Sequence, residues 1–314
     1  MQIQVLSFGE VLWDLMPDGR EILGGAPFNF AFRMHTLGHE SCMVSRLGCD
    51  SYGERALQQI ETLGMKTDYI QWDDRYPTGT VQVYLDEKKQ PDYTIIQNVA
   101  YDYIELTDEL IKLARNVNCV CYGTLAQRNR QSHLTIDKIL KAAEKALKVL
   151  DINLRRECYT PETVSYSLLQ ADVLKCNEDE AFQLGEMFSL PQDNLLQLTE
   201  NLFKLFPLTL CLITLGNQGV LAVHRKGEQV YVPGYQIKLV DPLGSGDAFT
   251  AAFLHEYFQD KPMSDCCRYG NALGALVATT PGATSTFSID DIQTFIQTHP
   301  ERVKNEEFQA LQVS

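Results

Sequence analysis

The 314-residue sequence predicts an α/β fold built on a mainly parallel sheet. Two observations predict it: short apolar runs rich in β-branched residues alternate with helical periodicity, and glycine-rich turns fall where predicted strands pass into predicted helices. No composition shift marks a boundary, so residues 1–314 read as one domain.

The run Ile3 to Phe8 reads as a first strand. No basic stretch precedes it and no small-residue cleavage site follows, so it is not a signal peptide. Gly24-Gly25-Ala26-Pro27 then opens a helix over Phe28 to Leu37, with proline near the start, where its missing N–H costs nothing. A strand over Cys42 to Leu47 and a helix over Gly53 to Leu63 follow. Next, Thr78 to Asp86 and Pro91 to Gln97 flank Glu87-Lys88-Lys89-Gln90 and read as an antiparallel hairpin, a small β flap on the main sheet. Alternation resumes with helices over Thr107 to Arg115, Gln131 to Leu147, Asn177 to Leu184 and Asn194 to Leu205. The interleaved strands are Val117 to Tyr122, Lys148 to Ile152, Val173 to Lys175 and Thr209 to Thr214. A second hairpin, Val220 to Val223 with Glu228 to Val232, turns at Arg225-Lys226-Gly227 and reads as sheet-edge structure. A strand-like run from Tyr231 to Val240 leads into DPLGSGDAF, and Ser288 caps a final helix.

Composition narrows the function classes. The formal charge is −14, which disfavours nucleic acid and anionic membranes as partners. No apolar run approaches the roughly 18 residues of a membrane helix. Nine cysteines, an odd number without C-x-x-C or His/Cys ligand spacing, support neither a disulfide framework nor a zinc site. A reducing cytoplasm is the expected location.

Several clusters could carry chemistry. Gly244-Ser245-Gly246-Asp247 lies where a strand gives way to a helix with apolar residues at Ala248, Phe249, Ala252, Phe253 and Tyr257. Free N–H groups at a helix start favour an anion, and glycine lets the backbone approach it closely. Asp247 among those donors should stay ionised, as a proton acceptor must; a tight turn with an acid at the helix start accounts for the pattern equally well. Gly24 to Asn29 reads as a second such junction or as an ordinary capped loop. Asp14, in GEVLWD, follows the first strand, where open α/β sheets bind ligands, and it could accept hydrogen bonds from vicinal hydroxyls. Asn177 and Glu180 share a helix face; they could hold waters around Mg²⁺ or simply cap the helix. Thr214-Leu-Gly216-x-x-Gly219 ends another strand in a glycine turn.

In order and position these clusters match one family. From its first strand to near its last helix, the chain resembles the ribokinase-like (PfkB) carbohydrate kinases, with GGAPFNFAF early and DPLGSGDAF late. Asn177 to Glu180 and Thr214 to Gly219 lie between them, and GGAPFN, the WD after GE, and DINLR are most similar to fructokinases. The resemblance implies a three-layer ribokinase-like fold with a small β lid formed from residues 10–22 and 76–103, often also a dimer surface. It implies an ATP-dependent kinase acting on the primary hydroxyl of a small sugar, with fructose first. Asp247 would be the base, and the N–H groups of Gly244, Ser245 and Gly246 the anion hole. Asp14, Gly25 and Asn29 match sugar contacts; Thr214, Gly216, Gly219 and Asn271 match the nucleotide side, and Arg155 faces the phosphates. Asn177 and Glu180 would position Mg²⁺ through water.

Two departures from the family pattern stand out. Ser245 replaces the usual alanine, keeping its N–H and adding a hydroxyl. Pro242-Leu243 replace small hydroxyl residues beside Asp241, which in many relatives helps bind a monovalent cation such as K⁺ together with the segment Ala278 to Thr286. Other acceptors in the same family are 2-keto-3-deoxygluconate, for which Lys88 and Lys89 would supply charge, ribose, and nucleosides, for which Phe28, Phe30 and Tyr101 would supply an aromatic clamp. A non-catalytic sugar- or nucleotide-binding protein on the same fold is the alternative of another class; Asp247 argues against it. A dinucleotide-dependent oxidoreductase lacks its G-x-G-x-x-G after the first strand, which reads FGEVLW.

Overall fold

A computed structural model describes residues 2–85 and 91–312. Chain order begins with β1 (Gln4–Phe8), then β2 (Leu12–Leu15), β3 (Glu21–Gly24), α1 (Ala26–Thr36), β4 (Glu40–Gly48), α2 (Ser51–Thr62) and β5 (Ile70–Asp73). After β6 (Gly79–Leu85) and β7 (Pro91–Ile95) come α3 (Asp108–Ala114), β8 (Cys119–Tyr122), α4 (Arg130–Ala142), β9 (Leu147–Asp151), α5 (Pro161–Gln170) and β10 (Val173–Asn177). The chain continues through α6 (Glu178–Met187), α7 (Leu195–Leu205), β11 (Leu210–Thr214), β12 (Val220–His224), β13 (Gln229–Val232) and β14 (Gly234–Tyr235). It closes with α8 (Ser245–Tyr257), α9 (Met263–Ala278), α10 (Ile289–Thr298) and β15 (Arg302–Val303).

The main sheet runs β13-β12-β11-β10-β9-β8-β1-β4-β5. Its pairings are parallel from β11 through β5, and only the hairpin at the β13 edge is antiparallel. The parallel strands are near-continuously buried, as strands covered by helices on both faces must be. Apolar side chains of α1, α8 and α9 form the core on one face, including Phe30, Met34, Phe253 and Leu273. Side chains of α3, α4, α6 and α7, such as Leu110, Ile136, Leu184 and Leu198, form the core on the other.

A separate four-stranded sheet, β3-β2-β6-β7, is the predicted flap. Its strands β6 and β7 pair antiparallel as expected; the predicted turn at Glu87 to Gln90 lies outside the described residues. Asp50 ties this sheet to the main one. Its carboxylate caps α2 through the N–H of Gly53 and accepts bonds from both the N–H and the hydroxyl of Thr78, each at 2.8 Å, just before β6.

Most predicted boundaries shift by one to three residues, and two move further. Helix α4 stops at Ala142 rather than Leu147, because the Leu147 N–H bonds the Asn118 carbonyl and Leu147 pairs with Cys119 in the sheet. The extended run toward Val240 breaks at Pro233, which cannot donate to a ladder, and Leu239 and Val240 are exposed.

Helix α8 is buried almost all round, and Phe253, fully buried, stacks between Phe249 and Tyr257. Replacing Phe253 with alanine is expected to cost about 3–5 kcal/mol, measured as a shift in the denaturant unfolding midpoint at unchanged slope.

Candidate active site

Some of the sequence-predicted residues lie at the carboxyl ends of adjacent parallel strands, others at the starts of α1 and α8. Asp151 ends β9, Asn177 ends β10 and Thr214 ends β11, with Asn177 and Thr214 in register and Lys175 opposite Asp151. Glu10 follows β1 and lines a small crevice with Pro27, Thr124, Asp151 and Asn153. The order reverses at β1, from which the chain proceeds to β4 on one side and β8 on the other, so the crevice sits at a topological switch point.

Two helices begin over this crevice. Gly25, at the start of α1, has φ 114°, and a Cβ there would lie 2.4 Å from the Glu10 carbonyl oxygen. Gly244, which caps α8, has φ 73°, and a Cβ would lie 2.5 Å from that of Ala283. Both turns therefore require glycine. The helices meet through one bond: the Asn29 side-chain amide donates to Asp247 at 2.8 Å, joining residues 218 positions apart. Asn29 is buried, and its Oδ1 has no partner among the described residues.

Asp247 is buried on the first turn of α8. Burial, then repulsion from Asp151, pushes its pKa up to about 6, against the pull of Lys175, the Asn29 bond and Arg155. Desolvation outweighs the attraction of the helix start, so Asp247 is a stronger base than an exposed carboxylate while still ionised at neutral pH, as the sequence led us to expect of a proton acceptor. Ser245 turns its hydroxyl back to the Pro242 carbonyl at 2.7 Å.

Asp14 lies on β2 of the flap sheet and is buried. Burial raises its pKa to about 6, with Asp241 adding to the rise and Arg155 opposing it. Arg155 is exposed, donates to Asn153 at 3.3 Å, and acts electrostatically on Glu10, Asp14 and Asp247 together.

Asn177 and Glu180 form a reciprocal capping box: the Glu180 N–H donates to the Asn177 side chain, and the Asn177 N–H to the Glu180 carboxylate. The other Glu180 oxygen accepts from the Leu154 N–H at 3.0 Å. Capping is therefore their structural role. Each oxygen keeps a free lone pair and Asn177 is exposed, so this all-oxygen donor set fits Mg²⁺ held through water.

On the far side, Thr214 donates weakly to Cys176, at 3.4 Å; Gly216 begins a 3₁₀ turn that ends at Gly219. Asn271 does not point a free amide outward. It donates to the carbonyls of Val232 and Pro233, bracing the edge hairpin. Asp241 accepts from the N–H groups of Leu243 and Gly282, which ties DPLGSGD to the segment after α9. Beside Val240, a cleft of about 620 Å³ opens against Thr279, His299 and Glu301.

Phe28, Phe30 and Tyr101 are buried in the cores, with the Tyr101 hydroxyl accepting from Arg128, so they form no aromatic clamp. Lys88 and Lys89 lie outside the described residues.

Sequence reasoning missed three buried charges. Glu10 is pushed up to about 7, chiefly by burial. Arg33, one turn beyond Asn29, donates to the carbonyls of Ala283 and Ser285, and burial brings it down to about 10. Lys175 pairs with Asp151 at 3.0 Å. The available signal was a charge inside an apolar run: VLKCN for Lys175 and FAFRM for Arg33.

Comparison with solved structures places the fold among sugar kinases of the ribokinase type. Fructokinase from Xylella fastidiosa with bound ATP superposes with a TM-score of 0.83 at 20% identity, covering 95% of this chain and 99% of that one. An uncharacterised sugar kinase from Pyrococcus horikoshii in complex with ATP gives 0.80 at 26% identity, covering 93% and 99%. In sequence, the chain is 30% identical to fructokinase-1 of Oryza sativa subsp. japonica over 89% of its own length and 93% of the relative's. The pfkB family carbohydrate kinase model matches residues 6–290, and the chain belongs to that family.

Glu10 supplies a test of this electrostatic picture. Its carboxyl has a folded pKa above the unfolded one, so it adds stability below about pH 4.5 and loses that contribution as pH rises through 7. Relative to wild type, Glu10→Gln should gain on the order of 3 kcal/mol between pH 4 and pH 8 in denaturant titrations. A difference that does not change with pH would contradict it.

Proposed function

We propose that this carbohydrate kinase is an ATP-dependent fructokinase that phosphorylates the primary hydroxyl of fructose, with Asp247 as general base. The observation that carries this reading is the Asn29–Asp247 bond, which brings the residue matched to the sugar side against the residue matched to catalysis. The unpartnered Asn29 oxygen and the buried Asp14 carboxylate offer acceptors for sugar hydroxyls in a crevice where water is scarce. Support for fructose comes from relatives: fructokinases of rice and maize are 30% and 29% identical across 89% of this chain.

Asp247 takes the proton of the attacking hydroxyl, and burial has raised its proton affinity toward the working pH without neutralising it there. The N–H groups of Gly244, Ser245 and Gly246 surround the start of α8, where charge develops on the transferring phosphoryl group; that of Ser245 is shared with the Pro242 carbonyl at 3.2 Å. Arg155 reaches the phosphates from the rim, and Thr214, Gly216 and Gly219 border the nucleotide. Asn177 and Glu180 would hold Mg²⁺ through its waters, and the bound ion would neutralise charge on the phosphate oxygens. Asp241 and backbone carbonyls of the segment 278–286 would hold K⁺, the ion adding positive charge beside the DPLGSGD turn. The flap sheet covers the sugar and excludes water, and it is also the face through which two copies pair.

A coupled assay over fructose, ribose, 2-keto-3-deoxygluconate and nucleosides tests the acceptor: fructose should give the highest kcat/KM. Asp247→Asn keeps the shape and removes the proton acceptor, so turnover should fall at least ~100-fold with fructose KM little changed. In wild type, kcat should fall about tenfold per pH unit below about 6, where Asp247 becomes protonated. Near-normal turnover of Asp247→Asn would remove the assigned base.

A further inference from the structure

The mechanism above leaves the buried ion pair of Lys175 and Asp151 without a task. Lys175 projects from β10, and both side chains are less than a tenth exposed. A lysine is almost never buried without a reason, since removing its ammonium from water costs several kcal/mol.

The surroundings supply that reason. The Lys175 Nζ donates to Asp151 Oδ1 at 3.0 Å, and Asp151 also accepts from Asn153 at 3.0 Å and from Thr250, on α8, at 3.3 Å. The ammonium thus lies under the first turn of α8. A Cβ built on Gly246 would come within 3.0 Å of Nζ, so at this position glycine lets the cation approach the backbone. Asp151, Glu180 and Asp247 all attract it, and together they outweigh the burial that would favour its neutral form. Among the described residues, only one of its three donors has a protein partner.

We propose that Lys175 is a positioning residue for phosphoryl transfer: held by Asp151, which also accepts from Thr250 of α8, it packs beneath Gly246 and sets a permanent positive charge behind the helix start that receives the transferring phosphoryl. This rests on the kinase reading of the same site. The ammonium strengthens the anion hole without touching solvent, and it offsets the repulsion that Asp151 exerts on Asp247. The charged groups acting on Asp247 are Glu10, Arg33, Asp151, Arg155 and Lys175.

Lys175→Met alone strands the Asp151 carboxylate in the interior and is expected to destabilise the fold. The informative protein is the double variant Lys175→Met/Asp151→Asn, which removes both charges and should unfold near the wild-type midpoint. Its kcat should fall about 100-fold while KM for sugar and ATP stays within about threefold, the split expected when only the transition state loses an interaction. Direct binding supplies a readout independent of the sugar. The double variant should bind ADP with aluminium fluoride, a mimic of the phosphoryl in flight, at least about tenfold more weakly than wild type, and ADP alone within about threefold. That difference, found in a protein that phosphorylates none of the sugars tested, would sink the fructokinase reading and leave the role of Lys175 standing. Equal affinity of the folded double variant and wild type for the mimic overturns the proposal, as does a turnover within threefold of wild type.

Discussion

The hydrogen bond from Asn29 to Asp247 is the constraint around which the site is arranged. It requires α1 and α8 to start on the same edge of the sheet and to meet nose to nose. A buried carboxylate needs a partner, and the Asn29 amide supplies one without cancelling the charge. Arg33, one turn further along α1, fixes the carbonyls of Ala283 and Ser285, and Ala283 packs directly against the turn at Gly244. The two helix starts and the segment after α9 therefore brace one another. A shift in any one would displace Asp247.

Much of this was legible in the sequence because local chemistry and global fold agree. Strands such as CVCY and LCLIT are apolar throughout, which suits a sheet covered on both faces. Asn177 and Ser288 announce helix starts, and both do form capping boxes. What stayed hidden depends on long-range partners. Lys175 reads as an exception in an apolar strand until Asp151 is placed opposite it by the parallel register. Asn271 matches a ligand position by motif, yet its amide is taken by the carbonyls of Val232 and Pro233. The end of α4 at Ala142 is decided by sheet pairing of Leu147, which helical periodicity cannot sense.

The chain carries a formal charge of −14, and four acids, Glu10, Asp14, Asp151 and Asp247, lie buried, with Glu10 and Asp151 lining the crevice. An anion arriving there meets no favourable bulk field. The groups available to receive it are short-range: N–H dipoles at two helix starts, the exposed Arg155 and the buried Lys175. Such groups act over a few ångströms, so discrimination between a phosphate and other anions follows from fit rather than from attraction at a distance.

The thiols have a consequence of another kind. Eight of the nine cysteines are buried, and only Cys49 is exposed. It precedes Asp50, the carboxylate that fastens Thr78 and thereby the flap sheet to the main sheet. A maleimide dye added to the folded protein should therefore attach at one position, adjacent to the fastening on which the flap would hinge. Without any engineered substitution, the molecule carries its own handle for a fluorescent reporter at the junction of the flap sheet and the main sheet.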